Sequence, residues 1–246
     1  MENIVIWNVD TQTDIMDADG TVFPLIPNVN VIRANLALIF QSALKNNIWI
    51  LGSAEAHTED CREFVANGGN FPRHCVIDTP GAGNIPETLL PGGVGVVKWN
   101  KQYLRTELKH LFQNKQVILT KNHKDVFTNP HIEKLLREIP PGTRIFVTGV
   151  VLEQCVDSAV LGLVEAGKRY GFTVSVVTDA VKELSAEARE RTLEKFKAMG
   201  VTLVTTGEFV RLIEARAKAI SPDIPTRGIG KGLMGKPAQR TGRLRG

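Results

Sequence analysis

The stretch Ile145-Phe-Val-Thr-Gly-Val-Val-Leu-Glu-Gln-Cys155 decides the fold. Ile145 to Val147 is a brief β-branched and aromatic run that reads as a buried strand, and apolar residues at helical spacing then predict a helix over Cys155 to Arg169. Outward from it the same alternation recurs. Ile4 to Val9, Ile48 to Leu51, Val117 to Leu119, Val174 to Val177 and Val201 to Val204 read as strands, while Asn30 to Leu44, His131 to Arg137, Ala186 to Met199 and Glu208 to Ala217 read as helices. Parallel neighbours need crossovers and helices supply them, so the pattern predicts a three-layer Rossmann-like α/β fold with a central, mostly parallel sheet flanked by helices. No Gly-x-Gly-x-x-Gly opens the first helix, which removes the main support for dinucleotide binding. In open parallel sheets ligands sit beyond the carboxyl ends of the strands, and functional residues are expected there.

Two segments break the alternation. Thr58 to Gly95 is rich in Gly and Pro and too long for a plain connection, which makes it a candidate site-forming loop. Residues 101 to 113 form an amphipathic helical patch, with Tyr103, Leu104, Leu108, Leu111 and Phe112 at helix-compatible spacing.

At 246 residues, 43% hydrophobic and 23% charged, the chain suits one large α/β domain and excludes wholesale disorder, collagen-like repeats and coiled coil. Glu153 interrupts the richest apolar segment, Ile145 to Val164, short of the roughly 18 residues that cross a bilayer, so no membrane association is expected. Met1 to Asp10 lacks a basic leader and a cleavage site, and a cytoplasmic location is the expectation. Three cysteines, Cys61, Cys75 and Cys155, cannot make a disulfide framework. Six cations against Asp223 give residues 221–246 a net charge of +5, more than the whole chain's +4, so the rest stands at −1. With nine Gly or Pro in that stretch, the division expected is a folded domain over 1–220 and a flexible basic tail over 221–246.

Asp10 directly follows the first strand, Lys121 follows the Val117 strand, and Cys155 opens a helix after the Ile145 strand. All three belong at one sheet edge. A thiol at a helix start feels the positive end of the helix dipole, and a nearby ammonium would lower its pKa further toward the nucleophilic thiolate. With Asp10 to accept the thiol proton, the set supplies what covalent acyl transfer needs. The same spacing also suits a buried, inert cysteine beside commonplace strand-end charges.

The surrounding residues narrow the choice. Asp10-Thr-Gln-Thr-Asp14, then Gly68-Gly69 ahead of Phe71-Pro-Arg-His-Cys75, then Gly149-Val-Val-Leu-Glu-Gln-Cys155 together resemble the nicotinamidase branch of the isochorismatase-like cysteine hydrolases, from residue 3 to about residue 205. The resemblance implies Asp10 as general base, Lys121 as the catalytic lysine, Cys155 as nucleophile, and Gln12 and Asp14 as supporting residues. It implies a cis peptide at Val150-Val151 that turns the N–H groups of Val151 and Cys155 toward the oxyanion. It further implies a divalent metal, Zn²⁺ first and Fe²⁺ or Mn²⁺ as alternatives, held by Glu55, His57 and His74 and gripping the substrate's pyridine nitrogen. Glu55 stands where the family has Asp, and one extra methylene moves the carboxylate by about 1 Å or more. Two histidines serving only as loop hydrogen-bonders are the alternative. His110, His123 and His131 lack comparable context and read as surface or helix-end residues.

Ile15 stands where the family has an aromatic, so the pocket wall is assigned to Ile15, Phe71 and Phe127, with Trp7 a further candidate. The 91 to 115 segment, longer than in compact family members, is expected to cover the site or make an oligomer contact. The activity implied is cleavage of nicotinamide, or a close heteroaromatic amide such as pyrazinamide, to the acid and ammonia through a cysteine thioester, in NAD salvage, by a homo-oligomer. The runner-up is a superfamily amidohydrolase acting on a ureido, biuret-like or carbamoyl amide. The third reading is a non-catalytic scaffold whose basic tail binds nucleic acid.

Overall fold

Strict alternation along the first strand, β1 (Asn3–Val9), sends Val5, Trp7 and Val9 into one core cluster and Ile4 and Ile6 into another, so the strand is buried on both faces. The computed structural model describes residues 3–220, and the tail assigned to 221–246 lies outside the described residues. The other strands are β2 (Trp49–Glu55), β3 (Val94–Val97), β4 (Gln116–Lys121), β5 (Thr143–Val150), β6 (Thr173–Lys182) and β7 (Thr202–Val204). They form one sheet in the order β3-β4-β2-β1-β5-β6-β7, with every neighbouring pair parallel.

Helices cover both faces. α3 (Arg105–Phe112), α4 (Ile132–Leu136), α5 (Asp157–Tyr170) and α6 (Ala186–Ala198) contribute Leu108, Leu135, Val160, Leu163 and Phe196 to the first core. α2 (Arg33–Lys45) and α7 (Thr206–Ile220) contribute Leu36, Ile39, Phe40, Phe209 and Ile213 to the second. A short helix, α1 (Thr13–Met16), follows β1 directly. No described helix is long and apolar enough to cross a membrane.

Register places the site. β1 pairs with β5 from Asn3↔Thr143 to Val9↔Gly149, and β2 pairs with β4 up to Glu55↔Lys121, so Asp10, Glu55, Lys121 and Val150 reach the same carboxyl edge together. The chain lays β2, then the outer β3, then β4 between them on the left of β1, and resumes at β5 on the right of β1, which makes the β1/β5 crevice the switch point of the sheet. Gly149, at φ +112°, lies so close to β1 that a Cβ would sit 2.0 Å from the Val9 carbonyl oxygen; only glycine fits.

Two expectations are corrected. The Thr58 to Gly95 segment is not one loop to its end, because its last two residues begin β3. Nor does Cys155 open an α-helix: it lies in a single π-helical turn, Leu152–Val156, and α5 starts two residues later.

Candidate active site

Asp10 follows β1 with its backbone at φ +49°, a left-handed conformation uncommon for a non-glycine residue and concentrated at functional sites. It is fully buried, and Ser53 Oγ on β2 donates to its Oδ1 at 2.8 Å. Lys121 Nζ lies 2.9 Å from Asp10 Oδ2 and 3.5 Å from Cys155 Sγ. Carboxylate oxygens of Asp10 and Glu55 and the Cys155 sulfur lie within 4.8 Å of one another. The Lys121 ammonium supplies the positive charge that this trio of acidic groups needs.

Glu55 extends the cluster. Its Oε1 accepts from Lys121 Nζ at 3.2 Å and from the Cys155 thiol at 3.4 Å, while its Oε2 faces His74 Nε2 at 3.1 Å and His57 Nε2 at 3.3 Å. Gln12 fixes the backbone beneath it: Gln12 Oε1 accepts from Glu55 N at 2.7 Å, and Gln12 Nε2 donates to the carbonyls of Glu55 and Ala82 at 2.8 Å each. Asp14 Oδ2 accepts from Cys75 N at 2.7 Å, tying the first loop to the segment that carries His74.

These surroundings set the protonation states. Burial pushes the Cys155 thiol well above its ordinary value; Lys121 opposes this, but the Asp10 and Glu55 carboxylates reinforce it. The expectation that the helix dipole and an ammonium lower the Cys155 pKa is therefore corrected. The helix dipole and one ammonium do not outweigh desolvation and two neighbouring carboxylates. Burial also raises Asp10, against the pull of Lys121. Burial acts to raise Glu55 as well, but Lys121 and the two histidines outweigh it and hold the carboxyl well below its usual range. Burial would lower Lys121, yet Asp10, Cys155 and Glu55 drive it well above the ordinary lysine value, so it stays charged.

The histidine pair has the donor chemistry of a metal site. His74 Nδ1 is 2.7 Å from the Pro72 carbonyl, so this nitrogen carries a proton, and Nε2, which faces Glu55, is the nitrogen placed to coordinate. His57 Nδ1 faces Asn122 Oδ1 at 3.2 Å and Cys61 Sγ at 3.3 Å, and its buried Nε2 has no hydrogen-bond partner among the described residues. An orphaned, buried imidazole nitrogen beside a carboxylate and a second imidazole fits a divalent cation. Glu63, which the sequence reading did not select, brings a fourth donor: oxygens of Glu55 and Glu63 and nitrogens of His57 and His74 lie within 4.8 Å of one another.

A cleft of about 300 Å³ opens onto both clusters, lined by Asp10, Glu55, His74 and Cys155 within and by Arg62, His123 and Lys124 among others. Ile15, Phe71, Val150 and Val151 line it, and the Val150-Val151 peptide is cis. Phe127 does not: its ring packs on α5, where a Cβ on Gly162 would sit 2.1 Å from Phe127 Cε2. Trp7 is fully buried in the sheet core. His123 joins the cleft lining, whereas His131 is buried, with Nε2 2.9 Å from the Lys101 carbonyl.

The isochorismatase domain family matches residues 100–208. The zinc complex of pyrazinamidase from Pyrococcus horikoshii is 26% identical, with a TM-score of 0.64 over 82% of this chain and 99% of that one. The pyrazinamidase/nicotinamidase of Streptococcus mutans UA159 is 21% identical, with a TM-score of 0.61 over 82% and 100%. An isochorismatase-like hydrolase from Alkaliphilus metalliredigens is 20% identical, with a TM-score of 0.64 over 85% and 98%. The last two likenesses speak for the fold alone, and no curated protein matches in sequence. The chain thus matches the isochorismatase domain family over residues 100–208 and shares its fold with solved nicotinamidases and pyrazinamidases.

Proposed function

We propose that this hydrolase cleaves the carboxamide of nicotinamide, or of a close heteroaromatic amide such as pyrazinamide, to the acid and ammonia through a thioester on Cys155. The observation that carries the reading is one carboxylate, Glu55, shared between the Lys121–Cys155 pair and the His57–His74 pair at 3.1 to 3.4 Å, so that reactive thiol and ion site face one cleft. A neutral thiol held beside a raised carboxylate suits proton transfer at the moment of attack rather than a standing thiolate.

Asp10 takes the Cys155 proton as sulfur adds to the amide carbon. Lys121 balances the negative charge left among Asp10, Glu55 and the reacting centre, and the N–H groups of Val151 and Cys155 receive the oxyanion. The C–N bond breaks as Asp10 returns the proton to nitrogen, and ammonia leaves. Water then gives a proton to Asp10 and its hydroxide to the thioester carbon, and the departing sulfur recovers the proton. A divalent cation, Zn²⁺ first and Fe²⁺ or Mn²⁺ next, would be held by Glu55, His57, His74 and Glu63. When bound it supplies a Lewis-acidic anchor for the ring nitrogen.

A ureido, biuret-like or carbamoyl amide is the second reading, and for a member bearing a carboxylate Arg62, His123 and Lys124 in the cleft lining favour it. Ammonia release from nicotinamide, pyrazinamide, biuret and ureidoacrylate, with and without a chelator, tests both. Chelator-sensitive turnover of nicotinamide or pyrazinamide supports the first, and chelator-insensitive turnover confined to ureidoacrylate or biuret replaces it with the second.

A further inference from the structure

The Glu55 carboxylate is divided between two tasks in a way that its position in the sequence does not announce. Its two oxygens point in different directions: Oε2 toward the coordinating nitrogens of His57 and His74, and Oε1 toward two hydrogen-bond donors, Lys121 Nζ at 3.2 Å and the Cys155 thiol at 3.4 Å. The carboxylate is buried, and the Glu55 backbone is clamped on both sides by the Gln12 amide. The rotamer that aims Oε2 at the histidines is therefore fixed from the far side by Lys121 and Cys155. Partners that hydrogen-bond a ligating carboxylate orient it and set how well it binds the ion.

We propose that Cys155 and Lys121 act, through Glu55, as positioning residues of the metal site, so that the ion and the nucleophile are coupled by a single carboxylate. This rests on the metal reading given above. The extra methylene of glutamate makes it possible: a carboxylate one carbon shorter, by about 1.5 Å of chain, cannot reach the histidine pair and the Lys121–Cys155 pair together. Because coupling is reciprocal, an altered group at residue 155 changes the affinity for the ion as much as the ion changes the setting of residue 155.

The test reads metal affinity and needs no turnover. The dissociation constant for Zn²⁺ is measured by competition with a chromophoric chelator in the full chain, in Cys155→Ala, which removes the donor, and in Cys155→Ser, which keeps one. Both substitutions are repeated on Glu55→Asp, and circular dichroism verifies that each variant is folded. Cys155→Ala is expected to weaken Zn²⁺ binding about tenfold, the low end for loss of an outer partner. Cys155→Ser is expected to stay near the wild type, and in the Glu55→Asp background Cys155→Ala should have no effect on Zn²⁺ affinity. Equal affinity of the wild type, Cys155→Ala and Cys155→Ser overturns the coupling while leaving the metal site intact. A loss of the same size in both backgrounds overturns the role of Glu55. Failure of the wild type itself to bind Zn²⁺ overturns the metal reading and this inference with it.

Discussion

Replacing Gln12 with alanine should loosen the site without touching any group proposed to react. Its amide makes three hydrogen bonds: it accepts from Glu55 N and donates to the carbonyls of Glu55 and Ala82, all at 2.7 to 2.8 Å, and the two to Glu55 are buried. They tie the loop after β1 to the end of β2 and to the 80–82 turn. At about 1 kcal/mol net each, Gln12→Ala costs about 3 kcal/mol. For a domain of this size each kcal/mol lowers the melting temperature by about 2–4 °C, so the expected fall is about 6–12 °C. Differential scanning calorimetry of wild type and variant measures it, and Zn²⁺ titration of the folded variant at low temperature reads the second consequence, a weaker ion site once the backbone of Glu55 is free. A melting temperature within about 2 °C of wild type, or unchanged Zn²⁺ affinity, would refute the view that the Gln12 amide holds Glu55 in place.

Because Cys155 keeps its proton in the fold above the ordinary thiol value, the unfolded chain releases that proton first, so stability falls as pH rises past about 8.5. Chemical denaturation between pH 7 and 10 should show a shallower decline in Cys155→Ala; parallel curves would remove the raised thiol from the account. Gly162→Ala drives a Cβ into the Phe127 ring and should cost about 1–3 kcal/mol of stability, yet leave KM for the best amide unchanged because Phe127 is outside the cleft. A raised KM would return Phe127 to the substrate wall. Phe71→Ala, by contrast, removes a ring that lines the cleft and should raise KM severalfold in steady-state assays; an unchanged KM would take Phe71 off the substrate wall. Glu63→Gln should weaken Zn²⁺ binding in the same chelator competition, and an unaltered constant would reduce the ion's donors to Glu55, His57 and His74.

The fold was legible because strand and helix periods differ. Alternation of short β-branched runs with helical stretches located six of the seven strands, whereas the four-residue β3 begins in the last two residues of a Gly- and Pro-rich segment that masks its period. Strand-end placement selected Asp10, Lys121 and Cys155, and register explains how Glu55 comes level with Lys121. Three features were hidden for physical reasons. Glu63 belongs to no spaced motif and reaches the histidines only through the turn after His57. The direction in which Phe127 points depends on Gly162, 35 residues away in the chain. The thiol's protonation reflects burial and two carboxylates set against one ammonium, which order in the sequence does not weigh.

A covalent thioester on Cys155 is detected by rapid acid quench of enzyme mixed with excess nicotinamide or pyrazinamide, followed by intact-mass and peptide mass spectrometry. The expected result is a transient adduct equal to the substrate less ammonia, mapped to the peptide carrying Cys155 and absent from Cys155→Ala, whose ammonia release is abolished. Undiminished ammonia release by Cys155→Ala, or an adduct on Cys61 or Cys75 instead, would contradict it.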